Sequence, residues 1–158
     1  MTDDKFYEDL PKKALGAGAL FFNESDELLI VKPTYREYWS IPGGVVDKNE
    51  SPRQSCLREV KEEINLDIPI GRLLCVDYIS NQDGKPENLQ FVFYGGVLSP
   101  DQIKNIQVPQ EELSEFKFFK VDNALLLFSA KSRRRFLHCL EALKSDIVVY
   151  LENGERIA

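Results

Sequence analysis

A run of carboxylates at helical spacing, held at a fixed distance from a glycine, constrains this chain more than any other feature. Residues 44–66 read Gly-Val-Val-Asp-Lys-Asn-Glu-Ser-Pro-Arg-Gln-Ser-Cys-Leu-Arg-Glu-Val-Lys-Glu-Glu-Ile-Asn-Leu. Ser51 is a good N-cap, Pro52 suits the first helical position, and Gln54 stands where a capping box takes Glu or Gln. Asn65 tolerates the left-handed backbone that commonly ends a helix. The spacing predicts a helix over 52–64. Cys56, Leu57, Val60 and Ile64 fall on one arc and are expected to face a core. Glu59, Glu62 and Glu63, three and four residues apart, project from an adjacent face.

Like charges at this spacing destabilise a helix by roughly 0.2–0.5 kcal/mol per pair. A Glu- and Lys-rich run alone is ordinary for a wet helix face. What points to a site is the fixed distance back to Gly44 and Glu50, together with Arg58, which can pair with a carboxylate and hold its orientation. Hard oxygen donors gathered beside a glycine loop suit Mg²⁺ or Mn²⁺, whose charge removes the repulsion. Glu59, Glu62 and Glu63 are therefore candidate metal ligands.

The order Gly44, five residues, Glu50, seven residues, Arg58-Glu59-Val60, one residue, Glu62-Glu63, one residue, Asn65-Leu66 resembles the Nudix box. Asn65 stands where that pattern has Gly. Gly43 and the preceding Trp39-Ser40-Ile41-Pro42 also look like the usual approach to the box. The resemblance implies an α/β fold, a Nudix-like α/β/α sandwich with a mixed β-sheet. It implies a hydrolase, dependent on Mg²⁺ or Mn²⁺, that cleaves the pyrophosphate bond of a nucleoside diphosphate linked to another moiety. ADP-ribose, a nucleotide sugar and a nucleoside triphosphate all fit that description. In the resembling family a backbone carbonyl from the glycine pair joins the metal shell, which here falls on Gly43. A later loop there often supplies an extra carboxylate, and Glu112 and Glu115 are the candidates, with Glu111 behind them.

On this reading Glu59 or Glu115 takes the proton of the attacking water, Arg58 orients Glu59 or Glu63, and Glu112 faces the substrate. Glu50 supports the helix start or reaches a metal through water. A catalytically silent nucleotide-sensing domain is the alternative, but such domains would be expected to lose box carboxylates that this chain keeps. An isomerase on the same scaffold would need a cysteine and a metal-binding histidine, which His138 alone does not supply.

The chain has 158 residues, enough for one domain with a full core, and is read as a single domain over 1–158. The net charge of −6 argues against a general nucleic-acid binder and leaves an anionic small-molecule substrate in need of local positive charge or metal ions. No apolar run approaches the roughly 20 residues that span a bilayer. The acidic N-terminal residues do not read as a signal peptide. Three scattered cysteines, Cys56, Cys75 and Cys139, sit among apolar residues and suggest reduced core thiols, hence a cytoplasmic protein.

Elsewhere, residues 1–13 read as a loose lead-in. Residues 15–22 and 28–31 read as a hairpin across a polar turn. Gly16-Ala17-Gly18 is not a dinucleotide fingerprint, because it opens a strand rather than a helix. Tyr35, Arg36, Tyr38 and Trp39 lead directly into the glycine loop, which makes Arg36 a candidate substrate contact. Residues 72–80 and 89–98 read as a long antiparallel pair around Asp83-Gly84. Residues 99–114 read as a polar loop and 115–122 as a strand, with Asp122 capping a short helix. Residues 131–144 read as an amphipathic helix with Phe136, Leu137, Leu140 and Leu143 inward and His138 beside them; Arg133-Arg134-Arg135 reads as its wet face, with a phosphate clamp as the alternative. A final strand or hairpin around Asn153-Gly154 is expected to close the sheet edge or pair across a homodimer, the dimer by analogy only.

Overall fold

Alternation along two strands decides which helix lies on which side. The computed structural model describes residues 2–157. In β1 (Ala14–Phe22) and β2 (Leu28–Pro33), Ala17, Ala19, Phe21, Leu29 and Val31 share one core, while Leu20, Phe22, Leu28 and Ile30 share the other. A period of two places successive side chains on opposite faces, so strands with no polar alternation are strands buried on both sides. The first face is covered by α2 (Pro52–Ile64) through Cys56, Val60 and Ile64. The second is covered by α5 (Ala130–Ser145) through Phe136, Cys139 and Ala142. The result is the expected α/β/α sandwich.

The remaining elements are α1 (Asp3–Glu8), β3 (Gly43–Val45), β4 (Leu73–Ile79), β5 (Asn88–Val97), α3 (Pro100–Lys104), β6 (Leu113–Phe119), α4 (Val121–Leu125), β7 (Val149–Glu152) and β8 (Glu155–Arg156). The eight-stranded sheet runs β6-β2-β1-β5-β4-β7-β8, with β3 also paired to β1. The β1–β5 and β4–β7 pairs are parallel and the others antiparallel, so the sheet is mixed.

One topological detail positions the site. β1 and β2 pair only at Phe22 and Leu28 before they diverge. β3 fills the opening, placing Gly43 and Gly44 opposite Gly18 and Ala17. The segment expected to be a glycine loop is thus a short strand.

Several local expectations are corrected. The lead-in contains α1, capped by the Thr2 side chain, with Asp3 and Asp4 favourably placed in its first turn. The polar loop contains α3, whose Ser99 and Gln102 form a second capping box around Pro100. Lys120, not Asp122, occupies the cap of α4, and Asp122 lies in its first turn. Leu57 and Leu137 face solvent, so the apolar stripes of α2 and α5 are narrower than their sequences suggest. His138 is half-buried and meets Glu141 at 3.1 Å. Arg135 departs most from the expected wet face: it is buried and paired with Asp77 on β4.

The expected helix 52–64 is present, with its capping box and with Asn65 left-handed at φ 59°. The three cysteines are buried and unbridged, and burial pushes the Cys56 thiol up to about 12.

Candidate active site

Packing fixes the rotation of α2. Cys56, Val60 and Ile64 are held in the core, which turns Glu59 and Glu63, one turn apart, toward β3. The Gly43 N–H donates to Glu63 Oε2 at 3.0 Å. Gly44 lies directly over Glu59: a β-carbon there would stand 2.5 Å from that carboxyl group. At Gly43 a β-carbon would stand 2.4 Å from the Ala17 carbonyl oxygen across the strand pair. Gly43 is therefore required for the approach of β3 to β1, while a side chain at Gly44 would displace the Glu59 carboxyl group.

Arg58 gathers the acidic groups around it. Its Nε and Nη2 donate to the two oxygens of Glu50 at 2.8 and 2.9 Å, a bidentate pair. Nη1 donates to Glu59 Oε1 at 2.9 Å and to Glu62 Oε2 at 3.3 Å, and Nη2 to the Val45 carbonyl at 3.1 Å. Asp47 lies at 3.4 Å. The Arg58 hydrogen bonds, assisted by the Asp47 N–H, hold the Glu50 carboxyl down to about 2. Glu50 is therefore a permanent anion that anchors Arg58, and Arg58 in turn fixes Glu59.

Glu59 and Glu63 behave in the opposite way. Burial pushes the Glu59 carboxyl up against the pull of Arg58. Burial also pushes Glu63 up to about 8; the Gly43 N–H opposes this, and the negative charges of Glu59, Glu112 and Glu62 add to it. Buried carboxylates that repel one another in this way are relieved by a cation. Among the described residues no three acidic side chains already converge as a finished metal cage. The donor set of carboxylate and backbone oxygens nevertheless has the chemistry of a Mg²⁺ or Mn²⁺ site.

Glu59 and Glu63 open onto a cleft of about 1060 Å³. Gly43, Arg36 and Glu112 line it as well, so the cleft brings together much of the expected constellation. Glu62 is 53% exposed and Glu115 is salt-bridged to Lys117 at 3.6 Å; neither lines the cleft. Glu115 alternates onto the strand face that carries Phe119, away from Phe116 and Phe118, which pack on the α2 side. The later carboxylate that reaches the site is Glu112.

The sequence reading missed the cleft floor. Gly16 and Gly18 form the floor with Gln90, where a β-carbon on Gly16 would meet the Gln90 amide at 2.4 Å. Alternate glycines on an otherwise apolar strand were the available signal. Lys131 and Arg135 line the cleft from α5; of the Arg133-Arg134-Arg135 run it is Arg135 that does so, and nothing in the local pattern singles it out from its neighbours.

Fold and site define an α/β/α domain with a mixed sheet and a buried carboxylate pair beside a glycine strand. The NUDIX domain family model matches residues 12–140, and the chain belongs to that family. The m7GpppN-mRNA hydrolase of Saccharomyces cerevisiae is 34% identical over 87 residues, 54% of this chain and 8% of that protein. Mouse diphosphoinositol polyphosphate phosphohydrolase 3-alpha is 30% identical over 102 residues, 65% of this chain and 59% of that protein. The matched region thus spans less than two thirds of the length of either relative. Among solved structures, an ADP-ribose pyrophosphatase from Streptococcus suis superimposes with a TM-score of 0.68 at 24% identity, covering 89% of this chain and 99% of that one. The NUDIX domain of Shewanella oneidensis NrtR, complexed with ADP ribose, gives 0.70 at 19%, covering 90% and 99%. At these identities the likeness concerns the fold. No helix among the described residues is long and apolar enough to cross a membrane.

Proposed function

We propose that this chain is a divalent-metal-dependent hydrolase that cleaves the diphosphate bond of a nucleoside diphosphate linked to another moiety. The observation that carries the reading is Glu63, a buried carboxylate held by the Gly43 N–H beside Glu59 at the wall of a large cleft. A Mg²⁺ or Mn²⁺ ion held by Glu59, Glu63 and the Gly43 carbonyl, with Glu62 outside the cleft able to join only by turning from Arg58, would shield the diphosphate and make a bound water acidic.

The chain's own residues do the rest. Glu59, with its carboxyl pushed up by burial, is the group fitted to accept a proton from water. Glu112, which lines the same cleft, is the second candidate. Arg58 does not reach the cleft; it positions Glu59 through the 2.9 Å bond. Arg36, exposed on the cleft rim and stacked at 5.1 Å over Tyr35, is placed to meet the anionic substrate.

The test is hydrolysis of a nucleotide panel with and without Mg²⁺ or Mn²⁺, comparing the native protein with Glu63→Gln. Metal-dependent turnover that disappears in the variant supports the assignment. Turnover that survives the substitution sinks it. Ligand binding without turnover of any member would favour a nucleotide-sensing domain instead.

A further inference from the structure

The cleft lining divides by element. The carboxylates Glu59, Glu63, Glu112 and Asp47, together with Arg36, come from α2 and the loops around β3 and β6 and make its acidic end; Lys85, Lys131 and Arg135, from the β4–β5 hairpin and α5, make its basic end. From these we infer that the basic end is a subsite for a further phosphate, carried by the substrate on the far side of the scissile diphosphate. The inference rests on the hydrolase reading and narrows its substrate class to diphosphates whose second moiety bears an additional anionic group.

Arg135 makes this a built site rather than a chance of surface charge. The residue is only 9% exposed. Its Nε–H donates to Asp77 Oδ2 at 2.7 Å, and the Gly154 N–H donates to Asp77 Oδ1 at 3.0 Å. Each Asp77 oxygen thereby has a donor, and the guanidinium is fixed by its inner edge. Nη1 and Nη2 make no hydrogen bond among the described residues, and Arg135 borders the cleft. A guanidinium anchored at Nε presents its outer fork preorganised for a phosphate or carboxylate.

Lys131, one turn earlier on the same face of α5, has Gln82 Oε1 at 3.4 Å as its partner, a neutral group that leaves its charge uncompensated. Ser132 and Ser129 add hydroxyl groups at the N-terminal end of a 16-residue helix, where the backbone dipole also favours an anion. Asp83 at the hairpin tip borders this end as well, and its repulsion sets the outer limit of the subsite.

The probe is ribose 5-phosphate titrated into isotopically labelled protein in EDTA, following the Ser132 amide and the Arg135 Nε–H by NMR. Without metal the carboxylate end repels phosphate, so the signal reads the basic end alone. Saturable shifts at both groups are expected, weakened roughly tenfold in Lys131→Met, as for loss of one charge-assisted contact. The double variant Asp77→Asn with Arg135→Met removes the buried pair together and is expected to show the same loss. Lys104→Met, outside the cleft, is expected to bind as the native protein does.

Absence of saturable shifts in the native protein overturns the inference, and so does equal weakening in Lys104→Met. Orthophosphate that binds more tightly than ribose 5-phosphate overturns the assignment to a substrate-borne group. Ribose 5-phosphate binding in a protein that hydrolyses no diphosphate with Mg²⁺ supports the subsite and defeats the hydrolase reading, so the two failures are separable.

Discussion

The backbone N–H of Gly43 donates to Glu63 Oε2 at 3.0 Å, across 20 residues of sequence, and joins β3 to α2 at the candidate site alongside the Arg58 bond to the Val45 carbonyl. It holds a carboxylate that burial drives toward the protonated form, up to about 8 from an ordinary 4.5. Between those two values the native state keeps a proton that the unfolded chain releases. Stability in EDTA therefore falls as pH rises through that window. Thermal melts of the native protein at pH 4.5 and pH 8 are expected to show the decline, and Glu63→Gln is expected to flatten it. The Gln side chain still accepts from Gly43, so the variant stays folded. Because a cation requires the ionised carboxylate, Mg²⁺ affinity measured by calorimetry should rise by up to about tenfold per pH unit below 8.

Gly44 separates the cost of a misplaced carboxylate from the cost of a strained backbone. The nearest atoms to a β-carbon there are the end of the Glu59 side chain, which can swing aside. Gly44→Ala should fold with nearly native stability while displacing Glu59, at a cost on the order of 100-fold in kcat/KM. Gly96→Ala should do the reverse. Nothing lies within 4 Å of its β-carbon position, but its φ of 103° strains any L side chain. A loss of about 1–2 kcal/mol with unchanged turnover is expected. Urea unfolding and steady-state kinetics on both variants check the contrast.

The parts of the site that were legible in the sequence are those set by local chemistry. Ser51, Gln54 and Asn65 delimit α2 through bonds to residues three or four positions away, and the helix falls where they put it. Glu59 and Glu63 follow from its period. The rest depends on tertiary contacts. Asp77 belongs to an apolar strand and Arg135 to a basic helix run, and their pairing arises only when α5 lies across β4. Glu112 and Glu115 are equivalent in sequence. They differ because Glu112 lies in the turn before β6, closed by its N–H to the Pro109 carbonyl, whereas Glu115 lies within β6 on the face away from Phe116 and Phe118. The capping signals of α1 and α3 were present in the sequence, but both helices are too short to show a hydrophobic period.

Arg58 is a positioning group whose geometry lysine cannot reproduce. An ammonium lacks the planar fork that serves Glu50 and Glu59 together. Arg58→Lys should lower turnover roughly 10- to 100-fold, as for loss of an orienting partner. It should also raise the Glu50 carboxyl from about 2 toward its ordinary 4.5. The second readout carries a definite sign. A depressed carboxyl contributes stability that is present above 4.5 and is lost as pH falls through about 2. The variant should therefore begin less stable at neutral pH and lose less on acidification. A carbon-detected NMR titration of Glu50, together with acid unfolding curves, tests both parts; a Glu50 titration that stays near 2 in the variant would remove Arg58 as its cause.

Asp77 and Arg135 tie β4, α5 and the β7–β8 turn into one unit beneath the basic end of the cleft. Asp77 is fully buried, so its removal strands a buried cation and an unpaired Gly154 N–H together. Asp77→Ala is expected to cost about 3–5 kcal/mol, the range for breaking a buried pair from one side. Asp77→Asn combined with Arg135→Met should cost much less, because the amide oxygen still accepts from Gly154 and no charge is left without a partner. The difference between the two variants in urea unfolding measures the penalty of the stranded cation rather than the worth of the pair. Equal losses would mean that packing around α5, not charge, holds this corner together.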